Sequence, residues 1–315
     1  MAGLAGPFGS VLPGSADNRM RWRMVAALAT LRSTRGSLST ADGLALATQH
    51  WRGGREPALV VAHGFGQTRH AWNGSARTLA GQGYDTTTFD ARGHGESGRL
   101  ANGDYHMEQF VADLLAVTAH ATPASGRKPV LVGASMGGLL GMVAAGEPTH
   151  ACPFSALILV DITPRWETKG VERILGFMRA HPDGFASYDE AASAIEAYLP
   201  HRRERKTEEQ PKPLLREGAD GRLRWHWDPA MLDGVIHESE RYQPRLFAAA
   251  ANIQVPVLLL SGARSDVVSS QTVDEFLRVV PHARHVSLAD ATHMVAGDAN
   301  DAFTREIARF LETLS

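Results

Sequence analysis

The chain has 315 residues, of which 43% are hydrophobic and 21% charged, and its formal net charge is −2. This length suits one large α/β domain with an insertion or two small domains, and the near-neutral charge provides no field that would attract nucleic acid or an anionic membrane. The single cysteine, Cys152, excludes an intramolecular disulfide and a cysteine-rich zinc site. No apolar run is long enough to span a bilayer, so we expect a cytoplasmic globular protein without a membrane partner.

The first 37 residues are expected to form a flexible extension. Residues 1–20 are rich in Gly, Ala, Pro and Ser, a composition typical of disorder. The stretch Arg21–Ala29 has the basic-then-apolar order of a signal segment, but its apolar part is short and no small-residue cleavage pattern follows it. A flexible extension, or a translation start at Met20 or Met24, fits the sequence better.

From about residue 38, short β-rich runs alternate with helical patterns, which predicts a mainly parallel, doubly wound sheet. The predicted strands are Leu44–His50, Ala58–Ala62, Thr86–Phe89, Pro129–Val132, Ala156–Val160, Val255–Leu260 and His285–Leu288. The predicted helices are Tyr105–Ala121, Leu139–Ala145 and Asp301–Leu314.

The alternation stops over residues 164–251, where no convincing buried strand occurs. Helical patterns cover Val171–Ala180 and Asp189–Leu199. The basic run His201–Lys206 is interleaved with and followed by glutamates, so it is interpreted as a solvated helix face rather than a polyanion site. These patterns predict a core of residues 38–163 and 252–315 with a helical cap of residues 164–251 inserted between two strands.

The most specific motif is Gly133-Ala134-Ser135-Met136-Gly137, which lies between a predicted strand and a predicted helix. A G-x-S-x-G turn in that context is typical of a nucleophile elbow, with the serine in a strained conformation that leaves no room for side chains at the glycine positions. A serine hydroxyl is a poor nucleophile and needs a base, and the base needs an orienting acid. His293 follows the last predicted strand and is the candidate base.

Two aspartates compete for the role of the acid. Asp266 lies in the loop after Val255–Leu260, and Asp161 directly follows Ala156–Val160. Gly262 gives the later loop freedom to turn, whereas the stiff Ile162-Thr163-Pro164 exit suits the launch of an insertion. The sequence therefore favours a triad of Ser135, His293 and Asp266, in the chain order of doubly wound hydrolases.

The negative charge that develops on an attacked carbonyl needs backbone donors. The amide of Met136, directly after the serine, is one candidate. The second is the amide of Phe65 in the run His63-Gly64-Phe65-Gly66, whose glycines let the backbone approach a substrate. His63 is interpreted as a structural histidine that fixes this loop.

With these motifs and the segment Asp90-Ala91-Arg92-Gly93-His94-Gly95-Glu96-Ser97, the chain resembles the capped serine-hydrolase branch of the α/β-hydrolase superfamily. That branch includes esterases, carbon–carbon bond hydrolases, lactonases and cofactor-free "haloperoxidases". The resemblance covers residues 40–163 and 252–315, and it implies a structural role for the Asp90–Ser97 segment. Ala134 replaces the histidine that more commonly precedes the serine, which weakens a carbon–carbon hydrolase assignment.

The sequence favours hydrolysis of carboxylic esters of small, largely apolar substrates. A lactonase, amidase or carbon–carbon bond hydrolase with the same triad remains an alternative, as does a non-catalytic ligand receptor on the same fold. Gly64 and Trp166 are candidate pocket residues, with Phe177 and Trp225 as further aromatic contributors that equally suit packing. No metal-ligand motif or dinucleotide fingerprint is present, so no cofactor is expected; a homo-oligomer is compatible with the sequence.

Overall fold

The computed structural model describes residues 33–198, 212–289, 291–293 and 300–314. An eight-stranded sheet contains, in spatial order, β1 (Ser33–Ser39), β2 (Ala45–Trp51), β4 (Tyr84–Phe89), β3 (Arg55–Ala62), β5 (Val130–Ala134), β6 (Ala156–Val160), β9 (Val257–Gly262) and β10 (Arg284–Leu288). β1 and β2 are antiparallel, β2 is antiparallel to β4, and the neighbouring pairs from β4 to β10 are parallel.

Helices cover both faces of this sheet. Those of the core are α1 (Asn73–Gly81), α2 (Met107–Ala121), α3 (Met136–Gly146), α7 (Ser270–Val279) and α8 (Asn300–Glu312), together with a short 3₁₀ helix, Arg69–Trp72. This doubly wound α/β arrangement is the one that the sequence predicts. All seven predicted strands and the three predicted core helices are present, with ends that differ by a few residues.

The central strands are buried because successive side chains enter two separate hydrophobic layers. In β3, Val60 and Ala62 belong to one cluster of buried residues, whereas Leu59 and Val61 belong to another on the opposite face. The same alternation recurs along β5, β6 and β9. Continuous apolar runs are typical of parallel strands that are covered on both faces.

Residues 164–251, called the insert below, lie between β6 and β9. The insert contains α4 (Thr168–Arg179), α5 (Tyr188–Tyr198), a 3₁₀ turn (Lys212–Leu214), β7 (Leu215–Glu217), β8 (Leu223–Trp225) and α6 (Met231–Ala251). The insert is mainly helical, as the sequence predicts, and β7 and β8 add a short antiparallel pair that the sequence did not reveal. Each has three residues, too few for a recognisable alternation of apolar and polar side chains.

The end of the insert packs tightly on the core. A side chain at Gly146, the last residue of α3, would place its Cβ 1.8 Å from the carbonyl oxygen of Ala249 in α6. The two helices therefore meet backbone to backbone, which requires glycine at this position.

Part of the expected N-terminal extension is a strand. Residues 33–37 belong to β1, which pairs with β2 in the register Ser33↔Trp51 to Ser39↔Ala45. The remaining extension, residues 1–32, lies outside the described residues, as does the basic run His201–Lys206. Within the described residues, no helix combines the length and the apolar character that crossing a membrane requires.

Candidate active site

Ser135 occupies a sharp turn between β5 and α3. Its φ of 45° and ψ of −114° are rare for a residue with a side chain. A Cβ at Gly133 would lie 2.5 Å from the carbonyl oxygen of Gly137, and a Cβ at Gly137 would lie 2.5 Å from that of Ala62. The two glycines are thus required by the close approach of backbone, and the turn has the geometry of a nucleophile elbow.

His293 is oriented by a buried carboxylate. Its Nδ1–H donates to Oδ2 of Asp161 at 2.7 Å, and the side chains are 12% and 1% exposed, respectively. The Asp161 carboxylate also accepts a bond of 2.8 Å from the Gly262 amide and one of 2.5 Å from the Ser265 hydroxyl. These bonds fix the carboxylate. Because Nδ1 of His293 makes the contact with Asp161, Nε2 is the ring nitrogen that does not take part in it, which is the arrangement that a base activating a serine requires.

The structure does not bring Asp266 to His293, so the placement expected from the sequence was wrong. Asp266 accepts a bond of 2.6 Å from Nε of Arg173, on α4 of the insert. In the loop after β9, the residue that contacts Asp161 is Ser265, which directly precedes Asp266 in the chain. Asp161 itself has a φ of 49°, so the turn after β6 directs its side chain inward before the chain enters the insert.

The run His63-Gly64-Phe65-Gly66 follows β3 and lies against the elbow. A Cβ at Gly64 would be 3.3 Å from Cβ of Ser135, so the backbone before Phe65 approaches the serine closely. On the other side of the serine, Met136 begins α3, and amides in the first turn of a helix lack intrahelical acceptors. The two amides expected to bind an oxyanion therefore belong to segments that adjoin Ser135.

Three buried histidines, His63, His94 and His226, form hydrogen bonds with the backbone of this loop. Nδ1–H of His63 donates to the Gly64 carbonyl at 2.8 Å, and its Nε2 accepts the Ala91 amide at 2.9 Å. Burial lowers the pKa of His63 and lowers that of His94 well below its usual range. Burial likewise lowers the pKa of His226 to about 3. His63 has the contacts that a structural histidine requires.

The Asp90–Ser97 segment forms a buried frame beside this loop. The carboxylate of Asp90 accepts bonds from the Arg69 and Glu96 amides and pairs with the guanidinium of Arg69. Arg92 binds Asp113 through two bonds of 2.7 Å. Every one of these contacts is made to backbone or to another fixed side chain, so the segment has the structural character implied by the resemblance.

Ser135 and His293 line a common cavity of about 170 Å³ with predominantly apolar walls. Trp166 lies in this wall, as expected, and is 8% exposed. The other lining residues are Phe65, Tyr105, His106, Met107, Phe110, Met136, Leu139, Leu140, Ile162, Val171, Ile174, Leu175, Met231, Tyr242, Leu246 and Val267. The site can therefore enclose an apolar group next to the serine.

Phe177 and Trp225 pack inside the insert rather than around this cavity. The ring of Phe177 stacks on Tyr198 with centroids 4.1 Å apart, and that of Trp225 stacks on Trp227 at 4.7 Å. The packing interpretation of these two residues is thus the one that the structure supports. In the described part of the chain, no group of three or more His, Cys, Asp or Glu side chains is placed to hold a metal ion.

The sequence reasoning missed two residues of the site. Ser265 fixes the carboxylate of Asp161, and His226 contacts the Phe65 loop from a position 160 residues away in the chain. Nothing local marks either residue. The nearest signal was the dense aromatic run Trp225-His226-Trp227, which suggests burial but not the partner.

The sheet order, the elbow and the Asp161–His293 pair are the features that define α/β-hydrolases. The family model for the alpha/beta hydrolase fold matches residues 57–299. The chain belongs to the α/β-hydrolase family.

Its relatives include hydrolases of several kinds. The chain is 29% identical over 265 residues to the 3-hydroxybutyrate-oligomer hydrolase of Cupriavidus necator, covering 79% of this chain and 86% of the relative. Among solved structures, it resembles an E-2-(acetamidomethylene)succinate hydrolase, with a TM-score of 0.74, 18% identity and coverage of 89% and 100% of the two chains. It also resembles the thioesterase domain from the curacin biosynthetic pathway, with a TM-score of 0.69, 25% identity and coverage of 88% and 99%.

Proposed function

We propose that this protein is a carboxylic-ester hydrolase that forms an acyl-enzyme intermediate on Ser135. The observation that carries the proposal is the 2.7 Å bond between His293 and the buried Asp161, at a cavity that Ser135 also lines. A serine on a strained elbow, a histidine and a buried carboxylate are the three groups that acyl transfer requires.

In the proposed mechanism, the hydroxyl of Ser135 attacks the acyl carbon while Nε2 of His293 takes its proton. Asp161 holds the tautomer of His293 that leaves Nε2 unprotonated and stabilises the imidazolium that forms. The amides of Phe65 and Met136 bind the oxyanion. His293 then protonates the leaving alcohol, and a water activated by the same histidine releases the acid from Ser135.

No hydrogen bond joins Ser135 and His293 among the described residues, and in the proposed mechanism this contact forms when substrate binds. Catalytic hydrogen bonds are often long in unliganded enzymes and shorten in the complex. The Asp161–His293 bond is already in place, so the serine–histidine contact is the one that remains to form in the proposed mechanism.

The cavity favours an apolar acyl group of modest size. A cavity of roughly 150 Å³ holds a benzene-sized molecule, and the one beside Ser135 measures about 170 Å³. Because the two volumes are similar, we infer a preference for acyl groups of about four to six carbons. The Cupriavidus relative is named for hydrolysis of 3-hydroxybutyrate oligomers; esters of short hydroxy acids fall in the same size range and are the natural next substrates to test.

The insert is proposed to act as a cap. Val171, Ile174 and Leu175 of α4, with Tyr242 and Leu246 of α6, line the cavity that contains Ser135. The insert thus supplies apolar wall, whereas the core supplies the triad. On this basis, substitutions in the insert should alter substrate choice more than they alter the chemical step.

The test is stopped-flow hydrolysis of p-nitrophenyl esters with acyl chains of two to twelve carbons, run alongside lactones and p-nitroanilides. A burst of p-nitrophenol followed by slower turnover supports an acyl-enzyme. A fluorophosphonate should label the protein at Ser135 and leave Ser135→Ala unlabelled, as read by peptide mass spectrometry. Turnover of lactones or anilides alone would replace the ester assignment, and saturable binding without turnover of any class would favour a receptor.

A further inference from the structure

Gly66 is held at both its amide and its carbonyl by two histidines. Its N–H donates to Nε2 of His94 at 3.1 Å, and its carbonyl accepts from Nε2 of His226 at 3.2 Å. Gly66 has a φ of 73°, in the region that favours glycine. The residue immediately before it is Phe65, whose amide is a proposed oxyanion donor, so these two bonds restrain the peptide next to that donor.

The contacts of His226 require one neutral tautomer. Because a carbonyl can only accept, Nε2 of His226 carries the proton, and Nδ1 is the acceptor for the Gly95 amide at 3.0 Å. His94 has the opposite tautomer, since Nδ1–H donates to the Arg92 carbonyl at 3.0 Å and Nε2 accepts from Gly66. Each ring nitrogen of the two histidines thus has one backbone partner, and the pair has no spare hydrogen-bonding capacity.

His226 is itself fixed by both the insert and the core. Its amide donates to the Leu214 carbonyl at 2.9 Å, and its carbonyl accepts from Nη2 of Arg99 at 2.9 Å. The insert also covers Gly66 with side chains, because a Cβ at Gly66 would lie 2.9 Å from Cε of Met178 and 3.6 Å from the ring of Trp227. The loop His63–Gly66 therefore cannot shift without breaking contacts with the insert.

We propose that His226 is a positioning residue, through which the insert fixes the Phe65 amide in the orientation that binds the oxyanion. The expected effect on catalysis rests on the proposed function. The restraint of Gly66 by hydrogen bonds does not, because these bonds are present without a substrate. It also gives the insert a second role beside forming the cavity wall. The opposing interpretation is that His226 only holds the insert on the core.

The kinetic test compares three variants. His226→Phe keeps an aromatic ring and loses both hydrogen bonds, and His226→Gln retains a donor and an acceptor. His181→Phe is the matched control, since His181 packs on Phe185 within the insert at 4.4 Å between ring centroids. The measurements are kcat and KM for the best p-nitrophenyl ester and the inhibition constant of a boronic acid that carries the same alkyl group, whose tetrahedral adduct occupies the oxyanion site.

Loss of a whole oxyanion donor costs about 10²- to 10³-fold in kcat, so a misaligned one should cost about 10- to 100-fold. We expect that loss for His226→Phe, with KM within about threefold and boronate affinity reduced by the same factor as kcat. His226→Gln should recover most of the kcat and most of the boronate affinity. His181→Phe should stay within about twofold of the parent in both quantities. A rise in KM with kcat and boronate affinity unchanged would assign His226 to holding the insert and overturn the proposal.

Hydrogen exchange tests the restraint independently of catalysis. In the full-length protein, His226→Phe should accelerate exchange in the peptide that contains Phe65 and Gly66, while His181→Phe should not. Unchanged exchange would refute the restraint even if the parent hydrolyses esters. If the parent hydrolyses no ester but the exchange result holds, the proposed function fails and the restraint stands. Should His226→Phe not fold, His226→Asn, whose side chain is too short to reach Gly66, serves as the disrupted variant in both experiments.

Discussion

Ser135 and Asp161 are the two non-glycine residues with a positive φ in the described part of the chain, at 45° and 49°. They follow neighbouring parallel strands, β5 and β6, and the Ser135 amide donates to the Val160 carbonyl at 3.0 Å. Backbone conformations of this kind are unfavourable and persist where the surrounding structure imposes them. Here they direct a hydroxyl and a carboxylate toward the same edge of the sheet, where His293 meets the carboxylate.

Replacing the proposed acid should nearly abolish turnover. Asp161→Asn keeps the size of the side chain but stabilises the wrong tautomer of His293, which costs about 10⁴-fold in kcat in such triads. Asp266→Asn is the matched control, because Asp266 binds Arg173 at 2.6 Å instead, and its kcat should stay within about tenfold. Steady-state hydrolysis of one ester by both variants, with thermal unfolding to verify folding, makes the comparison. The opposite ranking would restore Asp266 as the acid.

The sheet could be predicted from sequence because its strands are continuous apolar runs. β3, β5, β6 and β9 are buried on both faces, and each was expected within a few residues. β1 was missed because it is a mostly exposed, polar edge strand. Its place depends on pairing with β2 rather than on its own residues, which a local pattern does not show.

The elbow could also be predicted, since its glycines and flanking elements are adjacent in the chain. The acid could not be decided, because Asp161 and Asp266 both follow strands that end at the same edge of the sheet. The turn after β9 directs Ser265, not Asp266, toward the site, and a shift of one residue in a loop leaves no trace in composition or spacing. His226 was beyond local reasoning for a similar reason, as its contact with Gly66 is created by the packing of the insert.

Trp166 should limit the size of the acyl group. It lies in the cavity wall with Ser135 and is 8% exposed, so Trp166→Ala would enlarge the cavity. We expect the optimum for p-nitrophenyl esters to move toward longer or bulkier acyl groups, by about 10-fold or more in relative kcat/KM. Phe177→Leu, at a ring that stacks on Tyr198 instead, is the control and should leave the profile unchanged. An unaltered profile in Trp166→Ala would return this tryptophan to a packing role.

The strain at the elbow predicts that removing the Ser135 side chain stabilises the fold. Ser135→Gly and Ser135→Ala should both lose esterase activity. Only Ser135→Gly should relieve the strain of the positive φ of 45°, because alanine keeps a Cβ. We therefore expect the free energy of unfolding of Ser135→Gly to be higher than that of Ser135→Ala by about 1 kcal/mol, after the entropic cost of glycine is included. Urea unfolding of the two variants measures the difference. Equal stabilities would mean that the turn is not strained.

A Cβ at Gly137 should have the reverse effect. It would lie 2.5 Å from the carbonyl of Ala62, the last residue of β3, whose backbone is held by pairing with β4 and β5 on either side. Gly137→Ala is therefore expected to destabilise the protein by about 2 kcal/mol or more. Gly176→Ala provides the control, because a Cβ at that helical position has no neighbour within 4 Å and alanine favours the helix by about 1 kcal/mol. Similar unfolding midpoints for both variants would contradict the close approach at the elbow.

Acid should destabilise the fold through its buried histidines. Burial lowers the pKa of His63, His94 and His226 in the folded protein, that of His226 to about 3. Because an unfolded histidine titrates near pH 6.5, the unfolded chain binds these protons first, and the free energy of unfolding decreases as the pH falls below about 6.5.

His226→Gln isolates the part of this effect that belongs to one ring. Glutamine retains a donor for Gly66 and an acceptor for Gly95 but does not titrate. Between pH 7.5 and 5.5, where most carboxylates stay ionised, the parent should lose about 1.4 kcal/mol more than His226→Gln. Urea unfolding at these two pH values gives both losses, and salt and temperature are held constant. Parallel losses in the two proteins would show that His226 takes up a proton in the folded state as readily as in the unfolded chain, which its two backbone bonds as a neutral ring do not allow.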